Sequence, residues 1–328
     1  WRRKYNNFNQ VHPPRIRGMY NDWMDWCDFR LSSLLDTIQW RVDTIRQNDP
    51  DHYVMIHSRG GTGITHNIVL EGIDDHAMSR MVEKYGTAAF PQRGPQHEYF
   101  LAMTAARCCD PTKEFWMAEL QSGPYGMGIH RNDSEFCCEF CGSTTLANAN
   151  LKTAVDTGTV TPQRLKMWSW SGIALGGKGV IYWQYRNESF GLEYGFGLTE
   201  LDGSPSPRLE EVRKFKQIIN ENYDLLDSAE TIASEIAMAW TPESDIINYA
   251  AVGCTDAVKN SIKGIHKALW SLDYQIDTVR LDKDSTERLC QYKIIYMPYT
   301  PFVRTELVEK LKTRSEERRV GKECRSRW

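Results

Sequence analysis

The chain has 328 residues, of which 41% are hydrophobic, 25% charged and 11% aromatic, with a formal net charge of −3. This is the composition of a folded globular protein. No apolar run approaches the roughly 20 residues of a membrane-spanning helix, and mean hydropathy is −0.53, which excludes an integral helical membrane protein. No basic excess marks a nucleic-acid binder. A single core stops growing near this length, so the expectation is one large barrel or two unequal units.

Asn21 is a good N-cap, and Trp23, Trp26, Cys27, Leu34, Leu35, Ile38, Val42 and Ile45 then form a helical stripe that ends at Asn48-Asp49-Pro50. A short apolar run, Tyr53 to His57, reads as a strand. It is followed by a Gly-rich break, a helix-like stretch from Ala77 to Glu83, and a second strand ending at Ala88-Ala89-Phe90-Pro91. Leu101 to Cys109 reads as a helix and Glu114 to Glu119 as a strand. After an irregular Cys-bearing stretch, Thr161-Pro162 supplies the N-cap and first position of another helix, and Gly179 to Tyr185 makes another buried strand. Four strands alternating with helices predict a parallel sheet covered by helices. A whole eightfold barrel needs about 250 residues, so this is half of one.

Asp202-Gly203-Ser204-Pro205-Ser206-Pro207 reads as a linker. The helix after it carries Leu209, Val212, Phe215, Ile218, Ile219, Tyr223 and Leu226 on one face. Strands are expected at Ser234 to Trp240, Gln275 to Leu281 and Tyr292 to Met297, helices at Asp256 to Leu269 and from Thr305. Residues 314–328 hold six Arg or Lys against three Glu with no apolar periodicity. They resemble the translation of a sequencing-library adapter and are left outside the expected fold. The nine cysteines, Cys27, Cys108, Cys109, Cys137, Cys138, Cys141, Cys254, Cys290 and Cys324, form no regular disulfide framework. A reducing cytoplasm is therefore expected.

In an α/β barrel, chemistry sits where the strands end. Glu119 finishes an apolar strand, Arg186 finishes another, and Glu193 lies just beyond. A charged group in such a place is costly to desolvate unless it is paired or used, so both a catalytic carboxylate and a rim ion pair fit. Gly61-Thr62-Gly63 lacks the third glycine of a dinucleotide loop. Cys137, Cys138 and Cys141 lack a second ligand pair at zinc-finger spacing, and the eight His residues form no paired-ligand motif, so no metal is expected. Asn132-Asp133-Ser134 and Asn187-Glu188-Ser189 match glycosylation sequons, which carry weight only in a secreted chain.

Met19 to Arg30 (MYNDWMDWCDFR), Phe115 to Pro124 (FWMAELQSGP) and Thr161 to Leu198, with its YWQYR…GLE block, resemble glycoside hydrolase family 42, the β-galactosidases. The resemblance runs over nearly all of residues 1–313. It implies the C-terminal half of a (β/α)8 barrel over 1–203, a linker and helix over 204–230, and a truncated flavodoxin-like trimerisation domain over 231–313. It also implies a retaining hydrolase of terminal β-galactosides, working through two carboxylates roughly 5 to 5.5 Å apart. Glu119 matches the nucleophile, Trp183 the aromatic under the sugar and Glu193 a hydroxyl-binding carboxylate, with Arg186 orienting the last. The partner acid of the family, in an Asn-Glu pair after the fourth strand, would precede Trp1, so residues 1–328 alone are expected to be inactive. Phe90-Pro91 stands where Tyr-Pro is common, and Phe196 or a gap where the family has a galactose-binding His. No Trp follows Glu119 at the family's usual distance. No cofactor is implied. The implied partners are a β-galactoside oligosaccharide and two further copies in a homotrimer, with no nucleic acid or membrane. Alternatives are a barrel glycosidase acting on another sugar and a non-catalytic carbohydrate-binding or oligomerising remnant.

Overall fold

The computed structural model describes residues 4–58, 67–91, 95–123, 160–188 and 196–321. Helix α1, Tyr20–Asn48, follows the predicted stripe. It starts one residue before Asn21, behind Met19, with no side-chain cap. Then come β1 (Met55–Ser58), a π-helical turn (Asn67–Glu71), α2 (Asp75–Ser79), β2 (Lys84–Ala89), α3 (Gln96–Cys109), β3 (Glu114–Gln121), α4 (Pro162–Ala174) and β4 (Gly177–Trp183). Asp74 starts α2 by accepting from the amides of His76 and Ala77 at 3.0 and 3.3 Å. Thr161 caps α4 as its Thr-Pro signature predicts, accepting from Arg164 N at 3.2 Å.

The first four strands pair in parallel in the order β1-β2-β3-β4, the sequential order of a barrel wall. Phe115, Met117 and Leu120 of β3 pack outward with Tyr85 and Ala89 of β2 against Tyr99 and Met103 of α3 and Leu165 and Trp168 of α4. Met117 and Leu120 are fully buried, and each contributes about 1.5 to 3 kcal/mol of transfer free energy. Gly172 of α4 makes this packing possible. A Cβ there would lie 1.7 Å from Met117 Sδ.

After Pro205 and Ser206 come α5 (Pro207–Glu221) and α6 (Tyr223–Ser228). Ser206 caps α5 through the amides of Arg208 and Leu209. Leu209 belongs to the same core as β3, and Phe215 meets Trp170 of α4 edge-on at 5.0 Å. The stretch expected as linker and helix thus yields a helix that joins the outer layer of the four-stranded sheet.

A second body holds β5 (Ile236–Trp240), α7 (Pro242–Val252), α8 (Asp256–Trp270), β6 (Ile276–Arg280), α9 (Thr286–Cys290), β7 (Ile294–Tyr296) and α10 (Thr305–Gly321). Its parallel order is β6-β5-β7. Helix α10 runs on to Gly321, through residues set aside on composition, because Ser315 to Val320 contains no Pro or Gly to stop it. Helix α3 serves both bodies. Tyr99 and Met103 face the larger core, while Leu101 packs with Ile236, Met238, Val258 and Ile262. Glu98–Lys263 and Arg107–Asp277 ion pairs, both 2.6 Å, flank that contact. Arg280, 1% exposed, reaches across to Asp74 at 2.9 and 3.3 Å and holds Asp282 through two 2.7 Å bonds.

Candidate active site

The inner face of the four-stranded sheet follows from the alternation of its strands. Odd residues of β3 point to the helices as far as Met117, yet Leu120 is the next residue in that outer core. An extra residue in β3 accounts for the change. Thr87 pairs with Met117 but Ala88 with Glu119, and Met117 pairs with Val180 but Leu120 with Tyr182. The β-bulge at Ala118 resets the alternation, so Glu119 and Gln121 join Trp116 on the inner face. Without it, Glu119 would point into the helix layer as an uncompensated carboxylate.

Small residues seat the bulge. Gly86 of β2 sits across from it, and a Cβ at Gly86 would come within 2.5 Å of Ala118 Cβ and 3.0 Å of Trp116 O. Ala88 is the strand partner of Glu119. Glu119 is therefore half-buried and flanked by little side-chain volume on the β2 side. On the other side Trp183, half-buried, ends β4 in register with the fully buried Gln121. Phe90, one residue past β2, is half-buried and meets Phe196 edge-on at 5.5 Å.

The segment after β4 is fixed by backbone bonds. Ser122 N donates to Trp183 O at 3.0 Å, and Ser122 Oγ donates to Gln184 O and Phe196 O at 3.0 and 2.8 Å. Gln184 N donates to Phe196 O at 3.1 Å and Leu198 N to Gln184 O at 2.8 Å. The Trp183–Gln184 peptide bond is cis. Asn187, the asparagine of a sequon, donates Nδ2 to Thr199 O and accepts from Gly197 N, both at 2.6 Å. Arg186 stands exposed within this braced segment.

The two ends of the inner face differ in chemistry. At the start of the strands Lys84 and Glu114 pair at 2.6 Å, and Lys84 lies 5.1 Å from the Trp116 ring centroid, a stabilising arrangement. At the strand ends stand Glu119, Gln121, Trp183 and Phe90, the end at which barrel enzymes place their chemistry. Behind them Tyr182 donates to or accepts from Ser169 Oγ at 2.8 Å, and burial pushes its hydroxyl up to about 12. It is a neutral packing group.

The structure thus brings Glu119, Trp183 and Phe90 to one end of one sheet, with Arg186 three residues beyond Trp183. Glu193, Gly61 to Gly63, Cys137, Cys138, Cys141 and Asn132 lie outside the described residues. Among the described residues no group of three or more His, Cys, Asp or Glu side chains could hold a metal ion, and no helix is long and apolar enough to cross a membrane. Gln121 and Ser122 are not distinguished by the sequence except as part of the Phe115–Pro124 segment; Gln121 carries one signal, a polar residue two positions past Glu119 in the same strand. Asn187 stands in a sequon, but its side chain here braces the segment after β4.

A parallel sheet in sequential order with helices outside it is the arrangement of part of a (β/α)8-barrel wall. Residues 147–222 match the family model of glycoside hydrolase 42, β-galactosidase. The β-galactosidase from the Antarctic haloarchaeon Halorubrum lacusprofundi superposes with a TM-score of 0.71 at 17% identity, covering 94% of this chain and 43% of that one. The β-galactosidase from Bacillus circulans sp. alkalophilus gives 0.73 at 15% identity, covering 94% and 42%. An exo-carrageenase of the same family from Bacteroides ovatus gives 0.63 at 17%, covering 97% and 41%. No curated protein matches. Residues 147–222 are thus similar to the glycoside hydrolase 42 model, and the chain has the fold of these solved β-galactosidases. The chain spans less than half the length of those solved proteins.

Proposed function

We propose that this chain supplies the nucleophile-bearing side of a retaining β-galactosidase active site. The observation that carries the reading is the bulge at Ala118, which turns Glu119 to the inner face near the end of β3, two residues before Gln121, the register partner of Trp183. Glu119 attacks the anomeric carbon and carries the glycosyl group until water releases it. Trp183 offers its ring to a sugar face, Phe90 closes the β2 side, and Glu193 binds a sugar hydroxyl with Arg186 orienting its carboxylate. The second carboxylate, which protonates the leaving oxygen and then activates water, comes from the barrel wall that the solved relatives have beyond the span matched here. No cofactor is needed for this chemistry.

Glu119→Gln in the complete enzyme tests the reading. The variant keeps the shape of the site and loses the nucleophile, so turnover of a nitrophenyl β-galactoside falls by roughly 10⁴-fold while substrate still binds. Full turnover by the variant would refute it. A second reading, a barrel glycosidase acting on another sugar, is favoured by the Phe90–Phe196 pair, which sets apolar rings beside the site where hydroxyl recognition calls for polar groups. Comparison of nitrophenyl glycosides differing at one carbon separates the two. A non-catalytic carbohydrate-binding remnant would keep sugar binding and show no turnover in the complete protein.

The second body, with its three parallel strands, is proposed as the beginning of a flavodoxin-like assembly domain that makes a homotrimer. A monomer by light scattering of the complete protein would overturn this. Among the described residues Cys27, Cys108, Cys109 and Cys254 are unbridged thiols, in keeping with a reducing, cytoplasmic setting.

A further inference from the structure

Helix α1 belongs to both bodies of the molecule. Its later turns pack Leu34, Leu35 and Ile38 against the core of the four-stranded sheet. Its earlier turns lay Trp23, Met24 and Cys27 against Trp240, Ile246 and Tyr249 of the second body, with Ile68 and Val69 of the π-helical turn closing the cluster. Trp23 meets Tyr249 edge-on at 5.1 Å.

On α7, beside this apolar contact, stands Asp245. It is 0% exposed, and among the described residues neither carboxyl oxygen has a hydrogen-bond partner. Among the described residues, none of the charged groups around it donates a hydrogen bond to its carboxyl. Arg30 of α1 donates to Val69 O and Leu70 O at 3.0 and 2.8 Å. Cys27 and Asp28 of α1 add no positive charge, and burial pushes the Cys27 thiol up to about 11. Glu71 ends the π-helical turn. His76 of α2 is held neutral, its pKa lowered by burial and then by Arg280. Arg280 of β6 lies over Trp240 and is taken up by Asp74 and Asp282. Arg304 pairs with Glu243 at 2.6 Å. Arg17 lies beside Gly253 at the far end of α7, and Asp256 and Lys259 start α8.

We propose that Asp245 is a proton-dependent latch between the two bodies: α1 and α7 stay clasped while its buried carboxyl carries a proton and separate more readily as that proton is lost. An ionised carboxylate in this position would be a buried charge without a partner, whereas the neutral acid loses only unmade hydrogen bonds. Burial holds the carboxyl well above the usual carboxylate range. The sign follows. When the clasp opens, Asp245 regains water and an ordinary pKa, so the open state binds fewer protons at neutral pH than the closed one. Closure is fully favoured below the ordinary carboxylate pKa and weakens as pH rises toward the raised value.

The test is amide hydrogen exchange of the 328-residue chain, followed on peptides covering 20–30 and 242–252, for the wild type and Asp245→Asn from about pH 5 to about pH 8. Comparison at equal pH removes the intrinsic exchange rate. The ratio of the wild-type to the variant opening constant is expected to rise with pH, by up to about tenfold per pH unit, and to level off above the raised pKa. A ratio that does not change with pH overturns the proposal. Asp245→Leu serves in the same comparison if the Asn variant does not fold. The folded wild type at neutral pH should also show an infrared carboxylic-acid C=O band that Asp245→Leu lacks, and its absence from the wild type overturns the proposal as well.

Discussion

Gly86→Ala is a small change with a calculable consequence at Glu119. The added methyl would sit 2.5 Å from Ala118 Cβ, 3.0 Å from Trp116 O and 3.4 Å from His57 Cβ. Ordinary carbon–carbon contact is about 3.5 to 4.0 Å, so the two strands must part by about 1 Å at the bulge. Two of the three obstacles are backbone or Cβ atoms of β3, which cannot swing aside. Overpacking of this kind costs about 1 to 3 kcal/mol, measured as a shift in the urea midpoint of the chain. The same displacement moves Glu119, the residue after Ala118. A 1 Å error in a reacting group costs roughly 10²-fold in turnover, read as kcat on a nitrophenyl galactoside in the complete enzyme. Ala118→Gly added to Gly86→Ala removes the atom in closest conflict and should restore most of both losses. A single variant with wild-type stability and turnover would refute the bulge argument. So would a double variant no better than the single.

Other substitutions test neighbouring parts of the account. Arg280→Leu leaves Asp74 buried at 2% exposure with only two backbone amides for its charge, and should destabilise the chain by about 3 to 5 kcal/mol in urea unfolding. Adding Asp74→Leu should recover part of that loss, because no charge is then stranded. Desolvation raises the Asp282 pKa, but the hydrogen bonds and charge of Arg280 outweigh it and leave it lowered. Stability from this pair is present above the ordinary carboxylate pKa of about 3.9 and lost as pH falls through the lowered value, and Arg280→Leu should remove that acid dependence from a series of urea melts. Asn187→Ala breaks two 2.6 Å bonds that hold the segment carrying Arg186. It should raise KM in the complete enzyme more than it lowers kcat, at about 1 to 3 kcal/mol of local destabilisation seen by hydrogen exchange.

Much of this architecture is written in local signals. Thr161-Pro162 marks the start of α4, and the apolar stretches around Trp116 and Ile181 read as strands. The expected burial of the second does not hold: Ile181 is exposed, because β4 is the last strand of the described four-stranded sheet and has a neighbour on one side only. Glu119 stood out as a charge at the end of such a stretch. The bulge did not, because Phe115, Trp116, Met117 and Ala118 are all apolar and show no alternation to betray an inserted residue. Helix α7 escaped the sequence reading although Thr241-Pro242 repeats the Thr-Pro start, since Glu243, Ser244 and Asp245 in its first turn are polar yet buried and blur any apolar stripe. The Gly-Pro segment at 202–207 read as a linker because a turn and a boundary share composition. Here it forms a turn closed by the Thr199–Pro205 bridge and the cap of α5.

The central claim is that Glu119 forms the covalent glycosyl-enzyme. Incubation of the complete enzyme with a galactoside fluorinated next to the anomeric carbon and bearing a good leaving group slows release of the intermediate and traps it. Intact mass followed by peptide mapping should place one fluorogalactosyl group on the peptide containing Glu114 to Gln121, at Glu119, with no label in Glu119→Gln. Label on a different carboxylate, or turnover of the reagent with no adduct on this strand, would contradict the account.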